Sequence, residues 1–186
     1  MPVPPKGARR VRIIGGRHRG RVVRFPDAPG LRPTPDRVRE TLFNWLGQDL
    51  SGCRTLDLYT GSGALSLEAL SRGAALAVAV DRNPALIRAL AATAATLGAA
   101  GLETHIGDAS TFLDREQRAF DVVFLDPPFD SDPWAALLPR CAAVLARGGF
   151  VYAEAPRALV PPAPLVVRRG ERAGQVHYHL LEVAAG

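Results

Sequence analysis

Cysteine is nearly absent from the 186 residues: Cys53 and Cys141 stand 88 positions apart, at no metal or redox spacing. That excludes a disulfide scaffold and a zinc ribbon and fits a reducing, cytoplasmic compartment. No His/Cys cluster offers a metal site, so no metal is expected. Long apolar runs are missing as well. The longest, Ala74–Val80, has seven residues, far short of the roughly 20 that span a bilayer, so no membrane partner is expected. The basic start MPVPPKGARR is followed by no apolar segment and does not read as a secretory signal. Lysine is reduced to Lys6, which leaves arginine to carry the basic charge.

What is present is the balance of a globular protein, 47% hydrophobic and 22% charged, long enough for one domain with a small appendage. The net charge of +5 is unevenly placed. Residues 1–40 hold eleven Lys and Arg against three acids, a local +8, while residues 41–186 carry −3. A basic arm on a mildly acidic body points to a polyanion held at one end, and arginine's planar fork suits phosphates and base edges. A solvated basic tail would show the same charge.

Residues 1–10 read as a flexible basic leader with three prolines and a glycine. Val11–Ile14 and Arg21–Phe25 are short β-prone runs around Gly15-Gly16-Arg17-His18-Arg19-Gly20, a hairpin bearing Arg12, Arg17, Arg19, Arg21 and Arg24. Pro26–Pro35 holds four prolines and reads as a connector. Thr34 before Pro35 predicts an N-cap followed by proline at the first helical position. Val38, Leu42, Trp45 and Leu46 then share one helical face, with Arg37, Thr41, Asn44 and Gln48 opposite and Gly47 or Gly52 to end the helix. From Thr55 strands and helices alternate. The strands are Thr55–Tyr59, Leu76–Val80, Leu102–Ile106, Phe120–Leu125 and Phe150–Glu154; the helices are Ala64–Arg72, Pro84–Leu97, Ser110–Gln117 and Pro133–Ala146. Leu165–Arg168 and Gln175–Val183 close the chain as an antiparallel edge pair. Strands buried between helices predict an α/β fold with a doubly wound, mostly parallel sheet.

Leu56-Asp57-Leu58-Tyr59-Thr60-Gly61-Ser62-Gly63-Ala64 lies at a predicted strand-to-helix junction. Gly61 and Gly63, with Ser62 between them, permit a tight turn and close approach of a ligand, and the helix behind them would present free N–H groups. Asp81 ends the next strand, 18 residues after Gly63, where a carboxylate can accept from ribose hydroxyls. Loop and acid together point to a nucleoside-containing cofactor. A dinucleotide fingerprint would need glycine or alanine where Ser66 stands. Asp57 would repel a pyrophosphate but suit a cation. S-adenosylmethionine, with a sulfonium and an ammonium and no phosphate, fits that acid. A strand-end or helix-capping carboxylate is the alternative for Asp57. Asp108, after Ile106-Gly107, is placed either to accept from an adenine amine or to cap the next helix.

Asp126-Pro127-Pro128-Phe129 follows the strand Phe120–Leu125. Two prolines force the chain out of the sheet at its carboxyl edge, where doubly wound folds bind ligands. Asp126 and the Pro127 carbonyl form an acceptor-only cradle for an NH₂ group, and Phe129 can stack on the flat base that carries it. Taken alone, the motif also reads as a rigid loop with a core phenylalanine.

D/N-P-P-Y/F after the fourth strand, with G-x-G after the first, resembles the methyltransferases that modify exocyclic amines. The N-terminal block narrows the resemblance. Ile13-Ile14-Gly15-Gly16, Gly20-Arg21, Pro26, Leu31-Arg32-Pro33-Thr34 and Val38-Arg39-Glu40-Thr41-Leu42-Phe43-Asn44-Trp45-Leu46 are similar to the bacterial 16S ribosomal RNA guanine-N2 methyltransferase family, which modifies guanine 966. Leu67–Ala74 and Ala173-Gly174-Gln175-Val176 also match, so the resemblance spans residues 11–183. It implies a Rossmann-like methyltransferase sheet behind a small N-terminal β-hairpin plus helix. Residues 11–50 would be an RNA-binding extension and residues 51–186 the methyltransferase domain. The implied cofactor is S-adenosylmethionine, with S-adenosylhomocysteine as product and no metal. The implied partner is 16S rRNA within a small-subunit ribosomal particle, met by a monomer in the cytoplasm.

Asp126, Pro127 and Phe129 fall at the family's catalytic positions, and Asp57, Gly61, Ser62, Gly63, Asp81 and Asp108 at its cofactor positions. RNA contacts are expected from Arg12, Arg17, Arg19, Arg21, Arg32 and Arg37, with the whole Arg32–Arg39 segment gripping phosphates. His18, His105, His177 and His179 are expected to be structural or RNA-facing. Tyr59-Thr60 departs from the family's phenylalanine or cysteine then alanine, and Ser66 from its glycine, which bears on packing around the methionine moiety. Three rival readings stay open. A DNA adenine-N6 methyltransferase would use the same cradle but needs a target-recognition region for which the chain has little room. A nicotinamide oxidoreductase is opposed by Ser66 and the acidic loop. A non-enzymatic RNA-binding assembly factor would be excluded by methyl transfer.

Overall fold

Residues 9–184 are described by the computed structural model. Eight residues of the expected leader lie outside that range. Arg9 and Arg10 belong instead to strand β1 (Arg9–Arg12), because they pair antiparallel with Phe25 and Arg24 of β2 (Val22–Phe25). The hairpin loop between them is bonded to the far end of a later helix, α2 (Ala64–Ser71). Arg17 N–H donates to the Ser71 carbonyl at 2.7 Å and His18 N–H to the Ser71 hydroxyl at 2.8 Å. Gly16 makes this contact possible: its φ is 72°, and a Cβ there would lie 1.9 Å from the Ser71 carbonyl oxygen.

Helix α1 (Asp36–Leu46) ends at Gly47 in the left-handed conformation, one of the two stops expected. Its start differs from expectation. Thr34 does not cap it; the first turn closes through Arg39 N–H on the Pro35 carbonyl, and the Thr34 hydroxyl donates elsewhere. Its buried face is Val38, Arg39, Leu42 and Phe43, so an arginine lies inside. Trp45 is half-buried and stacks on Tyr178 with ring centroids 5.3 Å apart.

The main sheet takes its first strands from β3 (Arg54–Asp57), β4 (Leu76–Asp81), β5 (Leu102–Ile106) and β6 (Phe120–Leu125). It is completed by β7 (Leu145–Ala155), β8 (Leu165–Ala173) and β9 (Val176–Val183), in the order β5-β4-β3-β6-β7-β9-β8. The first five in that order are parallel; β9 runs antiparallel to both β7 and β8. The doubly wound reading and the antiparallel C-terminal pair are therefore both present, with β9 inside and β8 at the edge. Helices α3 (Pro84–Leu97), α4 (Ala109–Leu113) and α5 (Trp134–Ala143) complete the crossovers. α4 and α5 are shorter than expected. The strand expected at Phe150 begins earlier, at Leu145 opposite Phe120, and Gly148-Gly149 lie in a bulge within β7. A Cβ on Gly149 would lie 2.9 Å from the Asp121 carbonyl, so glycine lets the two strands stay paired there.

One core, under α4 and α5, joins Leu56, Val78, Val123, Val151, Trp134 and Leu138. The other, under α1 and α2, joins Leu42, Phe43, Leu65, Val122, Phe124 and Tyr152. Ile13 and Val23 of the hairpin reach a third cluster with Leu67 and Leu90. Because β4 and β5 lie on one side of β3 and β6 on the other, the chain reverses direction at β3. The crevice at the carboxyl ends of β3 and β6 is where such sheets bind ligands.

Candidate active site

Three neighbouring strands bring carboxylates to this one edge: Asp57 ends β3, Asp126 follows β6, and Glu154 is next to last in β7. Asp57 and Glu154 are buried and Asp126 is half-buried. Burial pushes Asp57 up to about 6, against hydroxyl bonds from Thr60 and Ser66, each 2.8 Å long. Asp126 is held well above the usual carboxylate range, by burial first and then by the charges of Glu154 and Asp57. Burial also raises Glu154. A crevice of this kind favours a cation, whose charge offsets that of desolvated acids.

The glycine loop sits directly beside Asp57. Gly61 and Gly63 have φ of 52° and 77°, and a Cβ on them would meet Leu31 Cδ1 at 2.7 Å and Leu90 Cδ1 at 2.3 Å. Leu31, from the connector, thus lies over the loop. Of the loop's N–H groups those of Ser62 and Leu65 have no partner among the described residues, and three others are engaged. Gly61 N–H donates to Asp81, Gly63 N–H to the Thr60 carbonyl, and Ala64 N–H to the Ser62 hydroxyl at 3.3 Å. The Ser66 backbone also bonds Asp57, so this carboxylate occupies the start of α2, where a pyrophosphate would otherwise dock. Asp81 accepts Gly61 N–H at 2.9 Å on one oxygen and Asn83 N–H at 2.8 Å on the other, which leaves each oxygen a lone pair for a hydroxyl. The donor and acceptor set fits a nucleoside with a cationic tail.

Asp108 caps helix α4. Oδ1 accepts from Ser110 N–H, the Ser110 hydroxyl and Thr111 N–H, and Oδ2 from the Arg82 guanidinium. These bonds, led by Ser110, hold its carboxyl below the usual range. A cavity of about 430 Å³ lined by Val80, His105, Ile106, Gly107 and Asp108 opens beside it, away from Asp57 and Asp126.

At the second motif, Pro127 is buried and Phe129 is 43% exposed, so the phenylalanine is not a core residue. The Pro128 carbonyl accepts from the Ser131 backbone and hydroxyl. Among the described residues nothing donates to the Pro127 carbonyl, which stays available beside Asp126.

Arg12, Arg17, Arg19, Arg21, Arg32 and Arg37 are all exposed. Arg12 pairs with Asp36 at 3.1 Å; among the described residues the other five have no ion-pair partner. Arg39 is the exception within the Arg32–Arg39 segment. It is fully buried, donating to the Arg12 carbonyl at 2.8 Å, the Thr34 carbonyl at 3.2 Å, Glu68 at 3.2 Å and Asp36 at 2.5 Å. It therefore cannot grip phosphate; a buried guanidinium needs this full set of acceptors, and the distant ones, Glu68 and the Arg12 carbonyl, are not revealed by local sequence. Of the histidines, His179 is buried and accepts Leu159 N–H, and His105 bonds Glu103.

Residues 11–182 match the family described as Conserved hypothetical protein 95. Ribosomal RNA small subunit methyltransferase D of Escherichia coli (strain K12) is 40% identical over 185 residues, covering 95% of this chain and 91% of that protein. The chain belongs to the small subunit methyltransferase D family. Its Haemophilus influenzae member is 33% identical over 190 residues, 96% of each chain. The solved structure of the Escherichia coli methyltransferase yhhF overlays with a TM-score of 0.85 at 39% identity, covering 95% of this chain and 99% of that one.

This member of the methyltransferase D family completes its crevice with residues that carry little sequence signal. Glu154 shows only as a lone acid in the apolar run Phe150–Ala155, and Tyr152 as one more β-prone residue. Thr34 reads as a helix cap. Thr60 and Ser66, two separate departures from the family pattern, form a pair in space: both hydroxyls donate to Asp57 and they lie 3.2 Å apart.

Proposed function

We propose that the chain transfers the methyl group of S-adenosylmethionine to N2 of guanine 966 in 16S ribosomal RNA, acting as a cytoplasmic monomer on RNA within a small-subunit particle. The name of the Escherichia coli relative, a ribosomal RNA small subunit methyltransferase, supports the substrate class. The observation that carries the chemistry is the acceptor-only pair of Asp126 and the free Pro127 carbonyl, beside an exposed Phe129 at the sheet's switch point. S-adenosylmethionine supplies an electrophilic methyl group. Asp57, Gly61, Ser62, Gly63 and Asp81 would hold it, the carboxylates supplying acceptors for its cationic and ribose groups. Asp108 fixes the loop beside it through its cap.

The N2 lone pair of guanine is conjugated into the ring, which makes the amine a poor nucleophile. Hydrogen bonds from N2 to Asp126 and the Pro127 carbonyl favour a pyramidal nitrogen and aim its lone pair. The nitrogen becomes cationic as it is methylated, so both acceptors bind the transition state more strongly than the ground state. Phe129 stacks on a guanine drawn out of a loop, where unstacking costs least. The hairpin and connector arginines of residues 11–50 hold the surrounding phosphates.

Labelled S-adenosylmethionine offered separately to unmethylated 16S RNA, small-subunit particles and duplex DNA tests this. N2-methylguanosine at one loop position is the expected product. N6-methyladenine from DNA would overturn the substrate, and no transfer despite cofactor binding would favour the assembly-factor reading. Asp126→Ala is expected to lower the transfer rate about 10²–10³-fold while leaving cofactor binding in place.

A further inference from the structure

A second arginine-bearing hairpin reaches the sheet edge at which Asp126 lies. β7 runs parallel to β6 with Leu125 opposite Ala153, so Asp126 leaves the sheet level with Glu154. β9 pairs Tyr178 with Glu154 and His177 with Ala155, and β8 pairs Arg172 with His177 and Ala173 with Val176. The Gly174-Gln175 turn between β8 and β9 therefore opens at the same carboxyl edge, beyond β7. The N-terminal hairpin lies on the other side of the crevice, packed through Ile13 and Val23 on α2 and α3. The cofactor and amine sites make no use of the β8–β9 turn.

The turn is stiff. Its loop is two residues long, with Gly174 at a φ of 62°, and Ala173 packs on the core under α1 and α2. Arg172 Nε donates to the Gly174 carbonyl at 2.7 Å, which holds the guanidinium on the turn. Among the described residues its two terminal nitrogens have no acceptor and no carboxylate pairs with it. The neighbouring acid is turned away: successive strand residues face opposite sides, and Glu171 accepts the Tyr178 hydroxyl at 2.8 Å on the α1 face. Arg172 stands on the α5 face beside His177, whose ring stacks on that of buried His179 with centroids 6.5 Å apart. The loop that carries Phe129 leans the same way, since Asp132 pairs at 2.9 Å with Arg157, two residues past β7. A pre-fixed, unpaired guanidinium fork on a body of net charge −3 suits a phosphate.

We propose that the β8–β9 turn is a second RNA-binding element: Arg172 holds a backbone phosphate on the far side of the target guanine from the N-terminal hairpin, with Gln175 along the same backbone. This rests on the RNA-directed reading above. Neighbouring strands are about 4.8 Å apart, which puts Arg172 about 14 Å along the sheet from β6. That is close enough to hold nucleotides flanking a base drawn out of its stack. Anchors on both sides of the crevice draw the strand across Asp126 and Phe129 and oppose the return of the guanine.

Two measurements test this: binding of unmethylated 16S RNA across a salt series, and steady-state methyl transfer to small-subunit particles. Arg172→Gln should weaken RNA binding and raise KM for particles about tenfold, and lower the log–log salt slope by about 1. Its kcat, S-adenosylmethionine affinity and melting midpoint should stay in place. Arg172→Lys keeps the charge and so the slope, but should recover only part of the affinity. Gln175→Glu, at the exposed tip of the turn, should weaken RNA binding at low salt and match the wild type at high salt. Arg169→Gln is the control, an exposed charge of the same strand set further from the edge and on the α1 face, opposite Leu180. It should leave binding and KM near their wild-type values. An unchanged slope in Arg172→Gln, equal losses at Arg169 and Arg172, or wild-type binding by Gln175→Glu at low salt would each overturn the proposal. A loss confined to particles, with naked RNA bound normally, would assign the turn to a ribosomal protein and overturn it too. If Arg172→Gln lowers the melting midpoint, Arg172→Lys and Gln175→Glu decide. A wild-type protein that forms no N2-methylguanosine overturns the underlying reading instead.

Discussion

Asp57 shows what a single buried acid does to this protein. Its folded value, about 6, lies above the ordinary 3.8 because burial outweighs two hydroxyl bonds. The folded chain then holds that proton more tightly than the unfolded chain does. Stability without cofactor should therefore fall as pH rises from about 4 to about 6 and level off above. Denaturant midpoints across that range should show the slope, and Asp57→Asn should flatten it. Cofactor affinity should run the opposite way, rising through the same window as the carboxylate ionises to meet a cationic ligand; calorimetry with S-adenosylmethionine at several pH values reads this directly. A pH-independent affinity would remove Asp57 from the cofactor site. Ser66→Ala deletes one of the two hydroxyl donors and should cost about 1–3 kcal/mol of stability in the ionised range.

At the level of elements, the notable device is the way helix α2 holds both the hairpin and α1. Glu68 on α2 is fully buried and accepts Ile14 N–H at 2.9 Å, Gly15 N–H at 2.7 Å, Arg39 at 3.2 Å and Arg72 at 3.0 Å. Arg72 also lies over the Phe43 ring, 4.6 Å from its centroid. Such a network is costly to break from one side, because the partners left behind remain buried and charged. Glu68→Ala should destabilise the fold by about 3–5 kcal/mol. Amide exchange at Ile14 and Gly15 should accelerate ahead of global unfolding. Exchange that stays slow at both amides would mean that the apolar contacts of Ile13 and Val23 alone seat the hairpin.

Across the whole molecule, charge and fold divide the labour. The basic residues 9–40 are not a loose tail: their hairpin enters the core through Ile13 and Val23 while its arginines stay outside. This combination presents cations on a rigid platform at one end of an acidic body. Replacing Arg17, Arg19 and Arg21 together by glutamine should weaken RNA binding and reduce the salt dependence by about 2–3 in log–log slope. An unchanged slope would place the RNA surface elsewhere. An Arg39 variant should behave differently, losing stability rather than salt sensitivity, because its guanidinium never meets solvent.

The alternation of strands and helices, the glycine turn and the D-P-P-F exit were legible in the chain itself, since each rests on local sterics. Glycine is needed where φ is positive, proline cannot continue a sheet, and apolar runs of strand length are buried on both faces. Asp108 was half-legible for the same reason: its cap partners, Ser110 and Thr111, are two and three residues away. Tertiary structure alone decided the insertion of β9 between β7 and β8, the bulge that carries β7 past Gly148-Gly149, and the burial of Arg39. It also turned Thr34 from a helix end to a carboxylate 120 residues away. A hydroxyl or guanidinium goes where a desolvated charge most needs a partner, and folding brings that partner from a distant part of the chain.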